Sequence, residues 1–129
     1  MDGKVVHFEI PMKNPKRAQS FYKDVFGWKM TDVPMEGMTY TLAATGPVDQ
    51  NGRPAEPGAI NGGMMKARKP FTVPIITIQV DDIDETLKAV KQKGGRTVTK
   101  KTPMGENGFF GYFRDSEGNV MGLFTPPKR

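Results

Sequence analysis

The alternation of hydrophobic and polar positions predicts a β-strand near the start of the chain. In residues 4–10 the side chains alternate between an apolar face and a chemically mixed face. The mixed face carries His7 and Glu9 together with Val5. The pattern therefore places an imidazole and a carboxylate on the same side of the first predicted strand.

The next segment has the pattern of a helix. Asn14 is a suitable N-cap, Pro15 suits the first helical position, and apolar residues recur at helical spacing until Gly27 ends the segment. Residues 38–46 and 59–67 then read as strands joined by an irregular loop. The first half therefore starts as strand and helix and ends in strands.

The second half repeats this plan. Residues 73–80 predict a strand, a helix follows with Asp82 as its cap, and residues 95–124 supply three more strands. Gly27 lies 20 residues after His7, and Gly95 lies 20 residues after Ile75. The tripeptide Gly63-Met64-Met65 also takes the place that Gly122-Leu123-Phe124 has in the second half. We interpret the chain as a duplication of a βαβββ unit of roughly 60 residues.

Length and cysteine content restrict the class of protein. The chain has 129 residues, which suits a single domain over residues 1–129. It has no Cys, so a disulfide framework, a zinc ribbon and thiol catalysis are excluded. The apolar runs are too short for a membrane helix, and the start MDGKVVHFEI lacks the apolar core of a signal peptide. We therefore expect a soluble, cytoplasmic protein with no membrane partner.

The charge balance bears on the partner. Lys and Arg number 19 against 14 Asp and Glu, a net charge of +5. That excess favours anionic ligands. The basic residues are scattered without interleaved aromatic residues, so we expect no nucleic-acid partner.

Four motifs on this duplicated plan carry a family resemblance: HFEIP, FYKDVFGW, NGGMM and DSEGN. Together they resemble the vicinal oxygen chelate superfamily of glyoxalase I, extradiol dioxygenases and bleomycin-resistance proteins, and small glyoxalase-like proteins in particular. The resemblance covers nearly the whole chain. It implies an α+β fold in which two tandem βαβββ modules, residues 1–68 and 69–129, form a curved mixed sheet around a cavity, with helices on the convex side. It also implies a homodimer.

The same resemblance bears on metal binding. Metal-dependent members hold a divalent ion with His or carboxylate side chains from the first and last strand of each module. Those places are His7, Gly63, Ile75 and Gly122 here, and of these residues His7 alone has a ligating side chain. Because one imidazole with water does not hold such an ion, we expect no metal and no cofactor. We interpret both glycines as open volume in the ligand cavity, the alternative being a bulge or a close backbone contact.

Strand parity predicts the side chains that face the ligand. His7 and Glu9 are candidates for proton transfer, with a merely hydrogen-bonded His7 as the alternative. Tyr40 and Tyr112 could donate hydrogen bonds to a carbonyl or carboxylate, but parity leaves the face of each of them open. The expected ligand-binding residues are Val5, Gly63, Met65, Ile75, Thr77, Gln79, Val120, Gly122 and Phe124.

Mostly apolar walls with a few polar groups are typical of small-molecule sites. The sequence therefore favours a metal-free small-molecule-binding protein that holds an amphipathic ligand in the cavity between the modules, with an anionic ligand favoured. The alternative is a glyoxalase-like lyase or isomerase, or a dioxygenase-type enzyme. Such an enzyme would be metal-dependent or would use His7 and Glu9.

Overall fold

The computed structural model describes residues 2–35 and 38–127. Its order of elements is a βαβββ unit followed by a second one, with a short 3₁₀ turn in the latter. The elements are β1 (Val5–Met12), α1 (Pro15–Phe26), β2 (Lys29–Met35), β3 (Met38–Ala44), β4 (Gly62–Lys66), β5 (Ile75–Gln79), α2 (Ile83–Gln92), β6 (Arg96–Pro103), β7 (Phe109–Arg114) and β8 (Val120–Thr125).

Both helices begin as the sequence predicts. The Asn14 side chain accepts the Arg17 backbone N–H at 3.1 Å, Pro15 follows it, and Gly27 closes α1 in the left-handed conformation with φ +73°. The Asp82 side chain accepts the Glu85 backbone N–H at 3.0 Å at the start of α2. Local capping therefore fixes where each helix starts.

The described residues group into two compact units. One is His7–Pro74, and the other consists of residues 2–6 and 75–127. The predicted module boundary between residues 68 and 69 stays a prediction.

In the first unit the strand order is β2-β3-β4-β1, with β1 and β4 parallel and the other pairs antiparallel. The helix α1 packs on one face, where Met12, Ala43 and Met64 form a buried core against Ala18 and Tyr22. His7 and Glu9 alternate with Met12 along β1 and so lie on the opposite face. The sequence pattern predicts no strand over residues 29–35, whereas the structure has β2 there.

In the second unit the order is β5-β8-β7-β6, with β5 and β8 parallel. The helix α2 packs on one face and buries Ile83 and Leu87 among Val80, Phe113 and Leu123. Thr77 and Gly122 are directly paired and lie on the other face. Within each unit the helix therefore covers one face of the sheet, and the predicted α+β class is confirmed.

The strand registers of the two units match. Glu9 pairs with Gly63, as Thr77 pairs with Gly122. On the other side of these glycines, Leu42 pairs with Gly63 and Tyr112 pairs with Gly122. Counting two residues back along each strand makes Ile75 the counterpart of His7, and Phe110 the counterpart of Tyr40. The structure thus confirms the duplication position by position.

A membrane-crossing helix would need more length and more apolar residues than either helix in the described part of the chain offers.

Candidate functional site

Three polar side chains meet on the face of the first unit's sheet that lies opposite α1. His7 and Glu9 come from β1, two residues apart and therefore on the same side. Tyr40 comes from β3, which is separated from β1 by β4. Its phenol lies over β4 at Gly63 and reaches the two side chains of β1.

Hydrogen bonds join the three residues in a row. The Tyr40 hydroxyl donates to Oε2 of Glu9 at 2.6 Å and is 3.0 Å from Nε2 of His7. The shorter contact has the length of a charge-assisted O–H···O⁻ bond. We call this His7–Tyr40–Glu9 group the polar triad.

Gly63 makes the polar triad possible. A Cβ atom built at Gly63 would overlap the Tyr40 hydroxyl and the ring carbons next to it. Any side chain at this position would therefore displace the phenol from Glu9 and His7. The position of Tyr40 depends on the absence of a side chain on the strand between.

The members of the triad are buried to different extents. Glu9 is 5% exposed, whereas His7 and Tyr40 are half-buried. Burial lowers the pKa of His7 below its ordinary value because desolvation disfavours the imidazolium, while the charge of Glu9 acts in the opposite direction. His7 is therefore neutral near pH 7 and has a carboxylate close enough to stabilise a proton that it takes up.

One other predicted ligand-binding residue of the first unit, Met65, lies on the same face as the triad. It follows Gly63 on β4 and is 7% exposed. Leu42, which sequence analysis did not single out, pairs with Gly63 on β3 and is 45% exposed. The face therefore combines the polar triad with apolar side chains.

The predicted residues of the second unit form a separate arrangement. Ile75, Thr77, Val120 and Gly122 are buried, and Phe124 is half-buried. Thr77 lies beside Gly122, where its Oγ1 would be 2.6 Å from a Cβ built on that glycine. Contact of these residues with a ligand stays a prediction.

Two of the predicted residues lie near the N-terminal segment. Gln79 donates from Nε2 to the Asp2 carboxylate at 2.5 Å, and this bond is the main reason why the pKa of Asp2 lies well below its usual range. Lys4 adds an ion pair to Asp2 at 3.0 Å. Val5 is 43% exposed. Asp2 was not foreseen as the partner of Gln79.

The interpretation of Gly63 and Gly122 as open volume was wrong. The space where their side chains would stand is filled by Tyr40 and by Thr77, respectively. Both glycines mark close approach of a neighbouring side chain, which differs from the bulge or close backbone contact given as the alternative. A sequence shows that a side chain is missing but not what occupies its place.

The donor set does not fit the metal site that the resemblance implies. At two of the implied places, Gly63 and Gly122, there is no side chain to bind a metal, and neighbouring side chains occupy the space. At a third place, Ile75 has a purely hydrocarbon side chain and is 1% exposed. Over residues 2–35 and 38–127, no group of three or more His, Cys, Asp and Glu side chains is arranged to hold a metal ion. The absence of a metal stays a prediction.

Comparison with known proteins places the chain in a family. A glyoxylase-like domain-containing protein of Didymella fabae is 31% identical over 132 residues, covering 98% of this chain and 97% of that protein. Among solved structures, hypothetical protein BH1468 of Bacillus halodurans has a TM-score of 0.68 at 17% identity, covering 100% of this chain and 98% of its own.

A Streptomyces coelicolor methylmalonyl-CoA epimerase variant in complex with 2-nitronate-propionyl-CoA also has a TM-score of 0.68, at 14% identity over 99% of this chain and 100% of its own. Likeness at these identities shows the fold alone. The family model for the Glyoxalase/Bleomycin resistance protein/Dioxygenase superfamily matches residues 4–123. The chain belongs to the Glyoxalase/Bleomycin resistance protein/Dioxygenase superfamily.

Proposed function

We propose that this chain binds an amphipathic, anionic small molecule on the face of its first unit's sheet opposite α1, and does so without a metal ion. The observation that carries the proposal is the polar triad set among apolar side chains. A few fixed polar groups on an apolar surface are what orients a small ligand. Leu42, exposed beside Gly63, supplies apolar contact area next to the triad.

The charge of the chain supports the choice of an anionic ligand. The net charge of +5 raises the local concentration of anions. Structures of the same fold include methylmalonyl-CoA epimerase in complex with methylmalonyl-CoA. Acyl-CoA thioesters are amphipathic anions, so they are suitable probes for this chain.

An enzymatic function is the second candidate. One observation favours it: hydrogen bonds through Tyr40 link the buried carboxylate of Glu9 to His7. Histidine is the side chain whose ordinary pKa lies nearest to neutral pH. A glyoxalase-like lyase or isomerase would use such a pair. A homodimer and a cytoplasmic location are further parts of the proposal.

Two surface variants test where a ligand binds. Leu42→Glu adds a negative charge to the proposed face at a residue that is 45% exposed. Ile76→Glu makes the same charge change on β5, also at 45% exposure, and is the matched control. The probes are methylmalonyl-CoA, followed by calorimetry, and the amphipathic anion 8-anilinonaphthalene-1-sulfonate, followed by fluorescence.

We expect saturable one-to-one binding to the wild type, weakened at least about tenfold in Leu42→Glu and unchanged in Ile76→Glu. A tenfold loss corresponds to about 1.4 kcal/mol. No binding, or equal loss in both variants, would overturn the proposed binding face.

Metal titration tests the other part of the proposal. We would titrate the metal-stripped protein with Ni²⁺, Zn²⁺, Mn²⁺ and Fe²⁺, and compare the wild type with His7→Ala. Stoichiometric binding of one of these ions that disappears in His7→Ala would show that a metal belongs to the site and would overturn the metal-free function.

A further inference from the structure

The helix α1 leaves large apolar side chains uncovered. None of its residues is buried, and Phe21, Val25 and Phe26 are 55%, 57% and 58% exposed. Together with the basic side chains around them, these residues form what we call the α1 patch: Phe21, Val25, Phe26, Lys16, Arg17 and Lys23. We propose that the α1 patch binds an acidic amphipathic helix of a partner protein. This inference does not depend on the proposed ligand-binding face.

The second unit shows that the fold does not require these exposed side chains. Its helix α2 starts at the matching position and buries Ile83 and Leu87. By the repeat that relates Gly27 to Gly95, the counterparts of Phe21, Val25 and Phe26 are Ala89, Lys93 and Gly94. Large apolar side chains stand on α1 where α2 has small or charged residues. Such a patch is typical of a surface that another molecule covers.

The exposed rings are held in place by the aromatic residues beneath them. The ring of Phe21 lies edge-on to that of Tyr22 at 5.2 Å between centroids, and Tyr22 stacks on Trp28 at 4.7 Å. The ring of Phe26 is 6.0 Å from both Tyr22 and Trp28. Rings at these distances attract one another. The apolar part of the α1 patch therefore has a defined shape before a partner binds, which lowers the entropy cost of binding.

The charge around the apolar residues selects an acidic partner. Residues 13–29 contain five Lys and Arg and one acidic residue, Asp24. Lys16, Arg17 and Lys23 are exposed, and in the described part of the chain none of them forms an ion pair. Glutamates on a partner would therefore meet uncompensated positive charge at the edge of the patch. Charge complementarity of this kind determines which partner binds.

The size of the α1 patch favours a single helix as its occupant. A Phe side chain buries about 150–250 Å² when fully covered, so the half-exposed side chains leave roughly 300 Å² of apolar surface. Each partner in a standard interface contributes about 800 Å². The helix α1 has 12 residues, which is about 18 Å of length or three turns of a partner helix.

Two other occupants fit the charges less well. A second copy that presented its own α1 would bring the same excess of positive charge to the contact. An anionic lipid surface would also meet Asp24, which lies beside Phe21 because three residues separate them on the helix. A partner helix, in contrast, can place a basic residue opposite Asp24 and acidic residues opposite its neighbours.

The probe is a synthetic peptide of about 14 residues, long enough to cover α1. It has leucines at helical spacing and glutamates at the remaining positions, and a control peptide has lysines in place of the glutamates. Binding of the dye-labelled peptides is followed by fluorescence anisotropy. The α1 variants are Val25→Gln and the double variant Lys16→Glu with Arg17→Glu. The matched controls on α2 are Ala89→Gln and the double variant Lys91→Glu with Lys93→Glu, all at exposed positions.

We expect saturable binding of the acidic peptide to the wild type, at least about tenfold weaker in both α1 variants and unchanged in both α2 controls. A tenfold loss corresponds to about 1.4 kcal/mol. Glutamine favours a helix more than valine does, so loss of binding in Val25→Gln would not come from loss of α1. The lysine peptide should bind at least about tenfold more weakly than the acidic one, because its charge is repelled.

The proposal would be overturned by absence of saturable binding, by equal affinity for the two peptides, or by equal losses in the α1 and α2 variants. Analytical ultracentrifugation tests for a second copy, and sedimentation with vesicles of phosphatidylglycerol and phosphatidylcholine tests for a lipid surface. We expect Val25→Gln to leave both results as in the wild type. A dimer that dissociates in Val25→Gln, or vesicle binding that this variant abolishes, would assign the patch to that occupant instead. Binding of methylmalonyl-CoA should be unchanged in Val25→Gln, so the proposed function and this inference fail independently.

Discussion

Adding one methyl group at Gly63 is the sharpest perturbation of the candidate site. Because a Cβ atom there overlaps the Tyr40 phenol, Gly63→Ala requires Tyr40 to leave its place. Tyr40 then gives up its bonds to Glu9 and to His7. The substitution therefore breaks the polar triad without touching any of its three members.

The expected cost has two parts. Forcing a methyl group into filled space costs about 1–3 kcal/mol. Removing a hydrogen bond to a buried charged group such as Glu9 costs about 1.5–3 kcal/mol more. We therefore expect Gly63→Ala to lower the free energy of unfolding by about 4 kcal/mol, a large fraction of the 5–15 kcal/mol typical of a domain.

The assay is urea unfolding followed by circular dichroism, with a matched control and a double-mutant cycle. Gly46→Ala is the control, since a Cβ at Gly46 meets no heavy atom within 4 Å, and it should change stability by less than about 0.5 kcal/mol. In a Tyr40→Ala background the added methyl group has space. The cost of Gly63→Ala should then shrink, which gives a coupling energy of about 2–3 kcal/mol.

Two results would refute this reasoning. If Gly63→Ala costs no more than Gly46→Ala, the phenol does not lie over Gly63 and the polar triad does not exist as described. If the cost is large but the same in the Tyr40→Ala background, another neighbour opposes the methyl group and Tyr40 is not the cause.

Single substitutions elsewhere test the pH response, the core and a turn. Burial lowers the pKa of His7, so His7 takes up its proton at a higher pH in the unfolded chain than in the folded one. The urea concentration at the unfolding midpoint should therefore decrease as the pH falls below about 6.5, and His7→Gln should weaken that decrease. Leu123→Ala, at 1% exposure, should cost about 2–5 kcal/mol, and Leu42→Ala, at 45% exposure, less than about 1 kcal/mol. Asp115→Ala should lower the thermal midpoint, since the Asp115 carboxylate accepts the backbone N–H groups of Glu117 and Asn119.

Each of these expectations has a contradicting result. A wild-type midpoint that drops no more steeply than that of His7→Gln between pH 7.5 and 5 would show that His7 titrates alike in the folded and unfolded chain. Equal costs for the two leucines would contradict the burial of Leu123. An unchanged melting temperature would mean that the Asp115 turn contributes nothing to folding.

Much of the fold could be predicted because its signals are local. The caps Asn14 and Asp82, the glycine after α1 and the alternation in β1 all act within a few residues. The strand β2 has no such signal, because Asp32 and Pro34 interrupt its pattern. It forms nevertheless because it is an edge strand, where a proline does not remove a needed donor.

The site was only partly predictable because one of its members depends on register. His7 and Glu9 share a face by parity within one strand. The face of Tyr40 depends on how β3 pairs with β4. Alternation along β3 puts Tyr40 and Leu42 on one face and its threonines on the other, but it does not say which of these faces lies beside His7 and Glu9. The glycine at Gly63 was the available signal, since a strand glycine often marks the close approach of another group.

The duplication supplies one more test, because the second unit shows which side chains to introduce into the first. Replacing His7 by Ile, Glu9 by Thr and Tyr40 by Phe gives the first unit the side chains that stand at the matching positions of the second. The triple variant removes both ionisable groups together with the phenol between them, so no member of the network is left without the others, whereas breaking a buried charged network one member at a time is costly. We therefore expect the triple variant to unfold at a urea concentration no lower than that of Glu9→Thr alone.

The same triple variant should lose binding of methylmalonyl-CoA while keeping its folded circular dichroism spectrum. That combination separates the two roles of the polar triad, since a group retained for ligand binding leaves stability intact when it is replaced as a set. A triple variant that unfolds more readily than each of the three single variants would show instead that the triad holds β1, β3 and β4 together. In that case the polar side chains of the first unit would be retained for folding, and the proposed binding role of the polar triad would lose its main structural support.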